Sequence, residues 1–143
     1  MKQRPSFDTK FLVGIEQIDR EHQRLFELLA KIHDALVANQ ERNEPLIRSA
    51  AVELLEYANT HFANEEAKMS AMAYPALAAH QALHRGLLAK VRDIEIRAEF
   101  DVRYGLAELG AFVYDWLANH ILVQDMAFGA FSRGANRVGT DGL

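Results

Sequence analysis

Four stretches of this chain repeat an apolar residue at every third or fourth position, and each carries histidine at one end of its stripe. That spacing gathers side chains on one face of an α-helix. The first stripe is Ile18, His22, Leu25, Leu29, Ile32 and Leu36, and the second is Ile47, Ala51, Leu54, Ala58, His61 and Glu65. The third is Leu77, His80, His84, Leu87, Val91, Ile94 and Ala98, and the fourth is Leu106, Leu109, Val113, Leu117 and His120. No stretch alternates as a half-buried strand would. The punctuation agrees with four helices: Asp19 opens the first, and Asn43 caps a second with Pro45 in its first turn. The turn at Ala73, Tyr74 and Pro75 restarts the chain, and Asp101 caps the fourth helix.

Helices of about 20 residues are about 30 Å long at 1.5 Å per residue. Short connections make successive helices antiparallel neighbours. The expectation is an all-α fold, an up-down-up-down antiparallel four-helix bundle with an N-terminal arm. A chain of 143 residues suits one domain, here 1–131, with the arm over 1–18 and the bundle over about 19–131. The glycine-rich end SRGANRVGTDGL, within 132–143, reads as a flexible tail.

Direction tests whether the histidines belong together. His22 starts the first helix, His61 is late in the second, His80 and His84 start the third, and His120 is late in the fourth. In an antiparallel bundle these positions share one end, and all five point inward. Glu65 follows His61 by one turn and faces the same way. Asp125 comes five residues after His120, about 140° around a regular helix. It reaches the same layer through a π-bulge or by leaning sideways.

The chain has no cysteine, so thiolate sites, disulfides and cysteine nucleophiles are excluded, and a metal must be held by imidazole and carboxylate. Five imidazoles, two bridging carboxylates and one shared solvent oxygen fill every position of two octahedral metals except one. One metal is then saturated and the other can take a small molecule. The donor set suits iron, with zinc, manganese and copper open on ligand type alone. A net charge of −4 argues against nucleic acid as a partner. No window is apolar enough for a membrane span. The N-terminal MKQRPSFDTK lacks a signal-peptide core, which points to a cytoplasmic address.

Four motifs carry a family resemblance: GIEQIDREH (14–22), HFANEE (61–66), YPALAAHQALH (74–84) and WLANHILVQD (116–125). A lone His, HxxxE, HxxxH and HxxxxD in this order resemble the hemerythrin family, specifically its single-domain bacterial members, over about residues 7–130. The resemblance implies two iron ions. His80, His84 and His120 would hold the saturated iron, and His22 and His61 the iron with the vacancy. Glu65 and Asp125 would bridge them beside an oxo or hydroxo group. It also implies reversible dioxygen binding, as carrier, store or sensor, in a monomer or weak oligomer whose protein recipient of gas or signal is unknown. Leu25, Phe62, Leu117 and Ile121 lie within a turn of these residues and are the expected lining of a dry oxygen pocket. Many relatives carry Trp in the arm where this chain has Phe7.

The competing readings are a di-iron oxidase or peroxidase, and iron or nitric oxide handling with signalling in trans. Ferritin-like di-iron enzymes use Glu-x-x-His, which this chain lacks. A histidine-rich shell favours holding oxygen over cleaving it. His33 lies about 16 Å along the axis from His22 at 1.5 Å per residue and is expected to be structural. Asp19 could cap the first helix or hydrogen-bond near the site. Trp116 is expected to pack in the core, Met69, Met72 and Met126 to fill gaps, and Glu66 to be solvated.

Overall fold

The computed structural model describes residues 3–38, 44–99 and 101–141. Its elements are a short 3-10 turn (Thr9–Phe11), α1 (Glu16–Val37), α2 (Glu44–Ala71), α3 (Leu77–Ala98), α4 (Val102–His120), a π-helical turn (Ile121–Asp125) and α5 (Met126–Asp141). No strand occurs among the described residues. α1 packs on α2 and α4, and α3 packs on α4 and α2, giving an antiparallel four-helix bundle. The bundle closes over the expected stripes: Ile18, Leu25, Leu29, Ile32, Ile47, Leu54, Ile94 and Leu109 are all fully buried. Each such side chain contributes about 1.5–3 kcal/mol by leaving water. Met69 is fully buried, while Met72 and Met126 pack at the margin of the core. No helix among the described residues is long and apolar enough to cross a membrane.

α1 begins at Glu16 rather than at Asp19. The chain turns into it at Gly14, whose φ of 90° favours a residue without Cβ. Asp19 takes neither of the two roles the sequence left open for it. Its carboxylate accepts the backbone N–H groups of Val13 (2.8 Å) and Gly14 (3.2 Å), tying the arm to the first turns of α1. Phe7 stands in the arm against Phe26 and Phe11, with ring centroids 5.8 and 6.0 Å apart.

The start of α2 has Pro45 in its first turn, and the expected cap Asn43 lies outside the described residues. Its end is a Schellman turn. Tyr74 N–H bonds to the Met69 carbonyl (2.9 Å) and Ala73 N–H to the Ser70 carbonyl (3.1 Å), with Ala73 at φ 53°. Asp101 caps α4 by accepting the N–H of Tyr104 at 3.1 Å.

α4 does not stop at His120. It widens through Ile121–Asp125, where the N–H of Met126 bonds to the carbonyl of Ile121 five residues back, and then resumes as α5. The backbone stays helical to Asp141, a regularity that the glycine-rich end of the sequence did not suggest.

Candidate metal centre

His22 of α1, His61 and Glu65 of α2, His80 and His84 of α3, and His120 of α4 are each buried to 3% exposure or less. Asp125 joins them, 1% exposed. The π turn is what brings it in: widening the helix by one residue cancels the angular offset that a five-residue spacing imposes. The side chains form two adjoining groups, one of Glu65, His80, His84 and His120, the other of His22, His61, Glu65 and Asp125.

Each carboxylate faces both groups. Glu65 turns Oε1 towards His80 Nε2 (2.7 Å) and His84 Nε2 (3.3 Å), and Oε2 towards His61 Nε2 (3.7 Å) and His22 Nε2 (3.9 Å). Asp125 turns Oδ1 towards His80 Nε2 (3.0 Å) and His120 Nε2 (3.1 Å), and Oδ2 towards His22 Nε2 (3.0 Å).

The atoms gather without satisfying one another. His22 Nε2, His61 Nε2, Glu65 Oε2 and both oxygens of Asp125 are buried and make no aligned hydrogen bond. An orphaned buried polar atom costs about 1–3 kcal/mol, so a cluster of them is not a way to stabilise a bundle. Lone pairs converging on a common point are what a cation requires. Spacing gives a second test. Donors at right angles around a metal, with bonds of about 2.1 Å, stand about 3.0 Å apart. His120 Nε2 lies 3.0 Å from His80 Nε2 and 3.2 Å from His84 Nε2. The residues fit a pair of metal ions.

Without metal, a proton serves some of these lone pairs. Burial works against a charged His80, but the carboxylates of Asp125 and Glu65 win and raise its pKa to about 9. Burial likewise opposes a charged Asp125, and the imidazoles of His120, His22 and His80 nevertheless hold its carboxyl well below the usual range.

Two residues at the back of the site escaped the sequence reading. Glu21 Oε1 accepts from His61 Nδ1–H at 2.9 Å, while its Oε2 accepts from the Asn64 amide at 2.7 Å. Glu66, expected in solvent, accepts from His84 Nδ1–H through Oε2 at 2.7 Å. The angular offset from Glu65 does turn Glu66 out of the bundle interior, but towards α3, where the outer nitrogen of His84 emerges. Both carboxylates fix the tautomer that aims Nε2 inward and make the ring a stronger donor.

Aromatic rings wall the α3–α4 side. Phe62 lies flat on His84, with centroids 3.9 Å apart and planes at 14°, and Trp116 lies flat on His120 at 4.3 Å and 15°. Trp116 is half-buried, packed against the core as expected, and its ring also covers the site. Leu25, Phe62, Leu117 and Ile121 are all buried. His33 stays outside both groups, half-buried, with Nδ1 3.7 Å from the Asp34 carboxylate.

Residues 13–131 match the family model described as the Hemerythrin HHE cation binding domain. The chain belongs to the hemerythrin family. Among its relatives is a bacteriohemerythrin of Clostridium acetobutylicum, 32% identical over 126 residues, which cover 83% of this chain and 94% of that one. Bacteriohemerythrins of Methylococcus capsulatus (32% over 120 residues, 84% and 89% covered) and Stenotrophomonas maltophilia (32% over 117 residues, 81% and 73% covered) are similar in the same way. The matched span runs through all seven buried residues of the two groups and through the π turn. The family holds a di-iron centre bridged by carboxylates, and the cluster in this chain is suited to one.

Proposed function

We propose that this hemerythrin binds dioxygen reversibly at a di-iron centre, as a carrier, store or sensor rather than as a turnover enzyme. The observation that carries the reading is the pair of carboxylates with one oxygen turned to each group of imidazoles. In this assignment His80, His84 and His120 hold one iron, His22 and His61 the other, and Glu65 and Asp125 bridge them. The iron pair, when bound, supplies the two electrons that reversible dioxygen binding needs.

The chain's own residues do the rest. The group around His22 and His61 has one imidazole fewer than its neighbour, and that shortfall leaves room for a small ligand. Leu25, Leu117 and Ile121, with Phe62 whose ring centroid is 5.7 Å from that of His61, would keep water from that side, and water exclusion is what slows loss of electrons to solvent. Glu21 and Glu66 hold His61 and His84 from behind. A cytoplasmic setting and a protein that receives the gas or a signal complete the proposal.

The test is spectroscopic. Protein reduced without oxygen, then exposed to air and degassed, should develop a charge-transfer band that fades again, with little peroxide released. Immediate irreversible oxidation, or steady peroxide turnover, would point to an oxidase instead. Leu117→Ala should speed autoxidation, and an unchanged rate would remove Leu117 from the pocket.

A further inference from the structure

Asp125 enters the site only because the helix widens at Ile121–Asp125, and such single π turns are rare inside α-helices. Both of its carboxylate oxygens lack an aligned hydrogen bond. From within the metal-free site the imidazoles of His22, His80 and His120, 3.0–3.1 Å from those oxygens, hold the side chain, and the backbone of the turn has a further support.

The turn is braced from outside. The 3-10 turn Thr9–Phe11 of the arm packs directly on it, with Phe11 and Val13 buried. Beyond that contact the arm is held by three backbone groups of the Val13–Gly14 link. Asp19 of α1 accepts the two N–H groups, and Arg133 of α5 donates Nη1–H to the Val13 carbonyl at 2.6 Å. Two glycines make this approach possible. A Cβ at Gly129 of α5 would collide with the Val13 carbonyl oxygen, and a Cβ at Gly14 would collide with the Arg133 guanidinium. The arm is thus fastened to α1 and to α5, the helix that leaves the π turn.

We propose that this clasp positions Asp125: Gly129 and Arg133 seat the arm against the π turn and so keep the carboxylate in the metal site. The inference rests on Asp125 being an iron ligand, and names two positioning residues that touch neither metal nor oxygen. Gly129 carries an inverted sign. In an open helix, replacing glycine by alanine is stabilising; here the added methyl group pushes the arm away.

The experiment has two readouts on the variants Gly129→Ala, Arg133→Gln, Arg133→Lys and, as a control for general destabilisation, Ile94→Ala in the core of α3. In metal-free protein, amide hydrogen exchange over residues 121–126 should accelerate in Gly129→Ala and Arg133→Gln. It should stay near the parent rate in Arg133→Lys, which can still donate to the Val13 carbonyl. In iron-loaded protein, release to a chelator should quicken about tenfold in the first two variants, the scale at which supporting residues affect metal affinity. It should not quicken in Ile94→Ala, although that variant loses more stability. Unchanged exchange over 121–126 in both clasp variants overturns the proposal, whatever the iron does. Equal iron release from Ile94→Ala overturns it too, since the effect would then be general loosening. Normal coupling in the exchange data, with no iron held even by the parent protein, would instead sink the reading of the site and leave the clasp standing.

Discussion

At the scale of single residues, the site depends on side chains that would touch no metal. The hydrogen bonds from His61 to Glu21 and from His84 to Glu66 fix which nitrogen faces inward, and Asn64 in turn fixes Glu21. Replacing Glu21 or Glu66 by Ala should weaken iron retention by about 10- to 100-fold. Glu→Gln at the same positions keeps an acceptor oxygen and should cost less. Iron per chain after dialysis against a graded chelator series reads this directly, and full retention in both Ala variants would make these carboxylates bystanders. The inward residues were legible from the sequence because helical periodicity reports the buried face. Glu21 and Glu66 were not, because their partners lie across helix–helix contacts between residues 40 and 18 positions apart. Periodicity carries no information about which outer-face residue meets a neighbouring ring.

At the scale of elements, the helices followed their stripes, and departures came where local backbone chemistry intervened. α1 starts early because Gly14 turns the chain and Asp19 is engaged by the arm rather than by the helix end. The spacing of His120 and Asp125 left two geometries open, and the π turn is the one adopted. The turn between α2 and α3 was visible from Pro75, but its left-handed residue was not, since Ala73 stands where glycine is the usual choice. Relieving the Cβ clash of that conformation, less the entropy glycine loses on folding, should make Ala73→Gly stabilising by about 0.5–1 kcal/mol. Chemical denaturation of the metal-free protein measures it, and a destabilisation of similar size would mean that the Ala73 methyl group packs usefully.

At the scale of the whole molecule, one end of the bundle concentrates buried charge that the rest of the core has to tolerate. In metal-free protein the pKa of His80 rises from 6.5 to about 9, so its contribution to stability is complete below 6.5 and disappears as pH climbs through 9. Asp125 works the other way. Its lowered pKa contributes above 3.8 and is lost as pH falls through the folded-state value. The metal-free bundle should therefore melt highest in mildly acidic buffer and lose stability towards pH 9. The iron-loaded bundle should lack that alkaline decline, because metal takes the place of the proton. A flat or rising melting temperature from pH 6 to 9 in metal-free protein would contradict the assignment of His80.

The account as a whole stands on two metals sharing two carboxylates. Anaerobic titration of ferrous iron into metal-free protein, followed by absorbance and by iron analysis after gel filtration, tests this most directly. The account predicts retention that saturates at two irons per chain, and at fewer when Asp125 is replaced by Ala. Saturation at one iron, or a stoichiometry indifferent to Asp125, would contradict it.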